Sequence, residues 1–394
     1  MKRFTYSKRM QRLPKQFFAD LVRKVQVAQE KGMDVINLGQ GNPDQPTPDH
    51  IIQSLQQAAT NPINHKYPPF RGFRNVKQAV ANFYKRNYDV TLDPEREVAI
   101  LFGGKGGLVE LPQIFTEAGD SVLVPDPGYP DYWSGIALSG AGMVTMPLLE
   151  KNKFLPDYSL LSEEQLHHAK MMLLNYPNNP TGATATSEFF EETVNLAKQY
   201  DINIIHDFAY GAIGFDGKLP TSFLQTEGAK DVGIEIYTMS KSFNMAGWRI
   251  AFAVGNEEVI EAINLYQDHM YCSVFGAVQE AAITALDEAN DSIPELVSLY
   301  ERRRNVWVNA LREIGWQVEP CEGSFFVWLP VPEGMSSVEF ADELIEKVGV
   351  VTAPGLGFGE HGEGYIRTAL LVDEERLKEA AQRIATISYF QGSN

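Results

Sequence analysis

Between about residue 75 and residue 290 the chain alternates short apolar runs with amphipathic stretches, and few folds satisfy that pattern. The runs are VAILF (98–102), SVLVP (121–125), MMLLN (171–175), INIIHD (202–207), IEIYTM (234–239) and RIAFAV (249–254). Uninterrupted apolar runs read as strands buried on both faces rather than on one. Helical patterns separate them, for example SEFFEETVNLAKQY (187–200), where Ser187 and Glu188 suit a helix start. Strands and helices in alternation imply an α/β fold, a mostly parallel central sheet with helices on both faces. From about 295 the pattern changes to a long helix (ELVSLYERRRNVWVNALREIG), a strand (SFFVWLP), another helix and a last strand (YIRTALL). This tail reads as a smaller α+β unit, and the stretch 32–46 is expected to pack with it. At 394 residues the chain is too long for one small core. Two domains are expected, a larger one at 46–290 and a smaller one formed by 1–45 and 291–394.

Charge narrows the function. Lys plus Arg total 34 against 51 Asp plus Glu, a net charge of −17. So acidic a surface repels phosphate backbones and anionic lipid, which argues against nucleic-acid and membrane partners. No run of eighteen apolar residues occurs, so no membrane span is expected. The basic start MKRFTYSKRM is followed by no apolar segment, so no secretory signal is expected. Two cysteines, Cys272 and Cys321, suit free thiols in a reducing cytoplasm. The seven histidines show no ligand spacing, and no metal site is expected. His206 neighbours Asp207 on a strand and should face the other side of the sheet.

In open α/β sheets ligands bind beyond the carboxyl ends of the strands. After VAILF comes GGKGGLVELPQIF (103–115), a glycine-rich turn entering a helix, where backbone N–H groups and the helix N-terminus favour a phosphate. Taken alone, those glycines are a plain turn. After MMLLN comes YPNNPTG (176–182), after INIIH comes Asp207, and after IEIYTM comes SKSFNMAGWR (240–249). A carboxylate at the end of a buried strand needs a cationic partner. Ser240, Lys241 and Arg249 crowd another strand end in an otherwise acidic chain. One ligand reconciles all four: a carbonyl for Lys241, a phosphate for Arg249 and the glycines, and a basic ring nitrogen for Asp207. Pyridoxal phosphate has all three.

NNPTG, D-x-x-Y, S-K-S-x(5)-W-R and the arginine of GYIRTALL together resemble the class I/II aminotransferases of fold type I. The resemblance spans nearly the whole chain and extends to LGQGNPD, HKYPPFRG and PDPGYPDYW. It implies pyridoxal 5'-phosphate as cofactor, an amino acid and a 2-oxo acid as substrates, and a homodimer with shared active sites. Carried over by position, it implies that Lys241 bonds the cofactor and later moves the Cα proton. Asp207 binds the pyridine N–H, and Tyr210 and Asn179 bind the ring oxygen. Arg249, Ser240, Thr238 and the turn Gly104, Lys105 and Gly106 hold the phosphate, with Thr238 standing where the family often has serine. Tyr129 stacks on the ring, and Tyr67 reaches the neighbouring subunit's phosphate. Arg367 pairs with the substrate carboxylate, helped by Asn179 and the Gly41 backbone.

The chemistry wants these groups. Asp207 stabilises a protonated ring, and burial beside Arg249 and that ring would depress the Lys241 pKa so that the amine can act as a base. Arg367 offers a planar fork that lysine cannot copy. For the side chain the residues say less. No Arg or Lys occurs between Arg249 and Arg302, where aspartate-type relatives carry a second cation, although Arg71 and Arg74 remain substitutes. Phe17, Phe18, Phe70 and Tyr129 could build an aromatic pocket for a methionine-like thioether, or Phe17 and Phe18 could merely pin an N-terminal arm. The alternatives are a transaminase for aspartate, aromatic or diaminopimelate substrates, or a C–S β-lyase on the same fold. A non-catalytic binding module, such as the effector domain of a regulator, is disfavoured because no basic DNA-binding segment precedes residue 40 and the chain is acidic throughout.

Overall fold

The structure is a computed structural model; it describes residues 4–15 and 17–391, without the side chains of Phe17 and 289–291. Its centre is a seven-stranded sheet. The strand order is Val98–Leu101, Ala251–Gly255, Gly233–Thr238, Asn203–Asp207, Ala169–Leu174, Ser121–Asp126, Gly142–Pro147. Ala251–Gly255 runs antiparallel to both neighbours, and the other pairings are parallel. All six apolar runs are therefore strands. The seventh, Gly142–Pro147, lies at the sheet edge and is largely exposed, so its residues GMVTMP carry no buried apolar run.

Neighbouring residues along a strand feed different layers of core. Leu123, Met172 and Ile204 pack on one face with Tyr84, Phe190 and Phe208. Val122, Met171 and Ile205 pack on the other with Leu108, Leu111 and Tyr132. Alternation of side chains on a pleated strand demands a helix layer on each side. His206 follows the same rule. It is fully buried, its Nδ1 lies 2.8 Å from Glu235 Oε1, and its Nε2 accepts from Tyr176 N–H at 3.2 Å. Its side chain thus faces away from the carboxylate of Asp207, as expected from the strand.

The helix within SEFFEETVNLAKQY spans Ser187–Tyr200, but its N-cap is Thr186, whose hydroxyl accepts from Phe189 N–H. The glycine-rich segment is not a loop leading to a helix. The helix Gly104–Phe115 starts at once, because Gly103 at φ 76° turns the chain on the preceding residue. The last hundred residues build a three-stranded antiparallel sheet from Phe326–Pro330, Tyr365–Ala369 and Ala353–Pro354. Helices Ala289–Glu313, Ser337–Val348 and Glu374–Ile384 surround it. Ser337–Val348 opens with a reciprocal cap between Ser336 and Glu339 and stops at left-handed Gly349.

Ile36–Asn37 pairs in parallel with Val350–Val351, and Ala369 N–H donates to Leu38 O at 2.7 Å. The 32–46 stretch is therefore laid against the C-terminal strands. Asp44 adds a two-pronged ion pair to Arg303 of the helix Ala289–Glu313, at 2.8 and 2.9 Å. No helix among the described residues is long and apolar enough to cross a membrane.

Candidate active site

A cavity of about 700 Å³ opens where the central sheet, the 32–46 stretch and the three-stranded sheet meet. Twelve of the residues assigned by the resemblance line it: Gly41, Gly104, Lys105, Tyr129, Asn179, Asp207, Tyr210, Thr238, Ser240, Lys241, Arg249 and Arg367. Gly106 and Tyr67 do not. Gly106 lies in the first turn of its helix with its N–H donating to Gly103 O at 3.1 Å, and Tyr67 is 86% exposed on this chain.

Lys241 sits in the short helix Met239–Ser242, capped by Thr238, whose hydroxyl accepts from Ser240 N–H and donates to Ser240 Oγ. Its Nζ donates to Gly41 O at 2.7 Å and lies 5.4 Å from the Phe325 ring centre. Burial, then the guanidinium groups of Arg367 and Arg249, push the ammonium down to about 8, while Asp207 pulls the other way. Arg367, which the sequence did not place near this amine, acts on it more strongly than Arg249 does.

Asp207 ends its strand with its carboxylate buried. Tyr132 donates a hydrogen bond to Oδ2 at 2.8 Å. Burial pushes the acid up to about 6 despite that bond. A buried acid held this way, with no ion-pair partner among the described residues, is a socket for a cation. Tyr132 was not foreseen. Its signal was its place three residues after Tyr129 at the entry to helix Asp131–Ser139, where both rings meet edge to face at 5.6 Å.

Asn179 is held from both sides. Its backbone N–H donates to Asn175 Oδ1 at 2.7 Å, and Asn175 Nδ2 donates to the Asp207 carbonyl at 2.8 Å. Asn175, also unforeseen, therefore ties the YPNNPTG loop to the strand that carries Asp207. Tyr210 is buried, packed edge to face on Phe325 and Phe326, and burial raises its phenol above the ordinary range.

At the opposite wall the helix Gly104–Phe115 points its N-terminus at Thr238. Gly103 adopts φ 76°, and a Cβ there would lie 2.2 Å from Arg249 Nη2. A side chain at 103 would displace the guanidinium, so the glycine is required twice. Arg249, itself left-handed at φ 58°, donates to Ala246 O at 2.8 Å. Lys105 spends its charge on Asp131 at 2.9 Å, which leaves backbone N–H groups as that turn's offering. Helix N-terminus, hydroxyls and guanidinium make a cradle for a doubly charged oxyanion.

Arg367 is 1% exposed. It donates to Asn179 Oδ1 and to Gly39 O, each at 2.8 Å, and its Nε has no hydrogen-bond partner among the described residues. Aromatic rings flank it, with Phe326 at 4.0 Å, Phe358 at 4.7 Å and Phe18 at 5.5 Å from the guanidinium carbon. Burial lowers its pKa to about 10. Among the described residues it meets no carboxylate, so a buried cation waits for an anion.

The helix Phe17–Glu30 closes the cavity with Phe18, Leu21, Val22 and Val25. The side chain of Phe17 lies outside the described residues, and Phe70 is 55% exposed and does not line the cavity. Arg71 and Arg74 are engaged elsewhere, Arg71 with Glu261 and Asp268, Arg74 with Glu95.

Comparison with known proteins decides what this cavity belongs to. The family model described as "Aminotransferase class I and II" matches residues 33–384. The chain belongs to this family. As an aminotransferase it uses pyridoxal 5'-phosphate and acts on amino acids and 2-oxo acids. The aminotransferase is 61% identical over 388 residues to a Bacillus subtilis protein named L-glutamine–4-(methylsulfanyl)-2-oxobutanoate aminotransferase, with 98% of each chain covered. It is 46% identical to the LL-diaminopimelate aminotransferase of Halothermothrix orenii, over 95% of this chain and 97% of that one. The substrate-bound structure of BacF from Bacillus subtilis superposes on it with a TM-score of 0.93 at 45% identity, covering 98% of each. The cavity suits the cofactor: an amine for its carbonyl, a buried acid for its ring nitrogen and a cradle for its phosphate.

Proposed function

We propose that this aminotransferase moves an amino group from an amino acid such as glutamine to 4-methylthio-2-oxobutanoate, forming methionine in a salvage route. The observation that carries the reading is the cavity's cation set. Among the described residues it holds Lys105, Lys241, Arg249 and Arg367 and no others, and Lys105 is neutralised by Asp131. One anchoring cation is thus left for a substrate carboxylate, and the side-chain end meets Phe18, Leu21, Val22 and Val25 with Gln26, Gln29 and Gln40 beside them. Such a wall suits uncharged thioether and carboxamide chains and opposes a second ionised terminus. The strings LPKQFFA, INLGQGNPDQPTP, VPDPGYPDYWSG, HDFAYGA and GFGEHGEGY add a likeness to the bacterial methionine-salvage transaminases, in keeping with the 4-(methylsulfanyl)-2-oxobutanoate substrate named for the Bacillus subtilis relative at 61% identity.

In this reading Lys241 would meet the cofactor's carbonyl and Arg249 its phosphate, which Ser240, Thr238 and the N-terminus of the helix starting at Gly104 would share. Tyr129 would pack on the ring, and Asn179 and Tyr210 would hold the ring oxygen. When bound, the cofactor supplies an electron sink for the carbanion left at Cα. Asp207 keeps the ring nitrogen protonated. Arg367, with Asn179 and the Gly41 backbone, orients the carboxylate that amino and 2-oxo acids have in common. Lys241 Nζ takes the proton from Cα, and its lowered pKa leaves a useful share of free amine near neutrality. The division into a cofactor-binding domain (46–290) and a smaller domain (1–45 and 291–394) belongs to this proposal. So do a homodimer in which Tyr67 reaches the neighbouring phosphate, and a cytoplasmic location.

The test is a steady-state panel of amino donors against 4-methylthio-2-oxobutanoate, with product methionine quantified. Glutamine, or another uncharged donor, is expected to give the highest kcat/KM. A preference for aspartate or for diaminopimelate would overturn the substrate assignment.

A further inference from the structure

A contact between residues that do not line the cavity ties the central sheet to the smaller one. Asp126 ends the strand Ser121–Asp126 and is 4% exposed. Its Oδ1 accepts from the His361 backbone N–H at 3.1 Å, and its Oδ2 lies 2.9 Å from His361 Nδ1. Two residues further on, Gly128 N–H donates to Phe358 O at 2.8 Å. Between these bonds Gly359 adopts φ 135°, and a Cβ there would lie 2.0 Å from Asp126 Oδ1. The loop at 355–362 is therefore shaped around this carboxylate.

Each side of the clasp leads to the cavity. Tyr129 follows Gly128 and lines it. Phe358 lies against the Arg367 guanidinium on the opposite strand assembly and meets Trp328 edge to face at 6.0 Å. Asp126, Phe358 and His361 do not themselves line the cavity.

We infer that the Asp126–His361 pair is a positioning contact that holds Phe358 against Arg367 and so tunes affinity for the carboxylate of both substrates. The inference rests on the reading of Arg367 as carboxylate anchor. An exposed ion pair would contribute little, but the side chain of Asp126 is only 6% exposed against 38% for His361. Removing the imidazole leaves a buried carboxylate short of a donor, and a loop that follows it is expected to shift.

The experiment compares the full-length holoenzyme with His361→Ala, His361→Asn and Phe358→Leu. An asparagine amide can still donate to Asp126. His361→Ala is expected to raise KM for amino acid and 2-oxo acid alike by about five- to tenfold, with kcat within about twofold and the visible band of bound cofactor unchanged, the signature of lost uniform binding. His361→Asn is expected to recover most of the loss. Phe358→Leu, which keeps the clasp, is expected to raise the same two KM values. The inference is overturned if KM stays within about twofold in His361→Ala, if kcat or the cofactor band moves with it, or if asparagine rescues nothing. Arg367→Lys is the control: KM unchanged in His361→Ala but raised in Arg367→Lys overturns the inference and leaves the Arg367 reading intact, whereas KM unchanged in both removes both.

Discussion

At the scale of single residues, buried Asp207 and half-buried Lys241 set the pH behaviour of the site. Asp207, pushed up to about 6 by burial, is ionised only above that value. Its attraction for a protonated ring is therefore complete above about pH 6 and lost as pH falls through it. In the cofactor-free protein the same shift has the opposite consequence for stability. The cost of ionising the buried acid is absent below 3.8 and fully present above about 6, until a cation arrives. Lys241, pushed down to about 8, holds its proton below that value and becomes a free nucleophile as pH rises through it. Both trends act in one direction. Reconstitution of the cofactor-free protein, followed by visible absorbance, should be slow near pH 5 and accelerate through about pH 8, and Asp207→Asn should abolish the lower limb alone. A rate independent of pH across that range would contradict the cofactor-facing placement of both groups.

Elements place these residues through their ends. Strands Asn203–Asp207 and Gly233–Thr238 deliver Asp207 and the Lys241 helix to one rim, while helix Gly104–Phe115 aims its N-terminus at the same point. Gly103 is the hinge of that convergence. Gly103→Ala would combine a left-handed backbone with a Cβ 2.2 Å from Arg249 Nη2. Its expected effect is at least about tenfold weaker cofactor binding by fluorescence titration, with the far-ultraviolet circular dichroism preserved. Retention of parental affinity would show that Arg249 can stand aside at no cost. A milder change tests ordinary helix chemistry: Thr186→Ala removes the cap of Ser187–Tyr200 and should lower unfolding free energy by about 1 kcal/mol while leaving turnover alone. The apolar runs were readable because two-sided burial leaves a continuous hydrophobic signature. The edge strand Gly142–Pro147 was not, since pairing with Ser121–Asp126 through backbone bonds asks little of its side chains.

For the whole molecule, the cavity exists only because distant segments meet. Arg367 reaches Asn179 across 188 residues of chain and Gly39 across 328. The proposed homodimer adds a second level of assembly, motivated by Tyr67 at 86% exposure in a segment that resembles the family's cross-subunit ligand. If each site borrows Tyr67 from its neighbour, a hybrid of one Lys241→Ala chain and one Tyr67→Ala chain contains one site with both defects and one with neither. Refolded mixtures should then exceed the summed activity of the two variants alone. Activity equal to that sum would exclude a shared site.

The residues that follow a buried strand were legible from the chain itself. A charge at the tip of an apolar run must find a partner, and that requirement is local, so the sequence alone groups Lys241, Asp207, Arg249 and the turn at Gly104 around one ligand. Tertiary structure decided the rest. Tyr132 beneath Asp207, Asn175 behind Asn179, the Arg367 socket of Phe326 and Phe358, and the wall formed by helix Phe17–Glu30 all depend on which segments become neighbours. Periodicity reports only what each segment buries, whereas a hydrogen-bond partner hundreds of residues away is chosen by topology and packing.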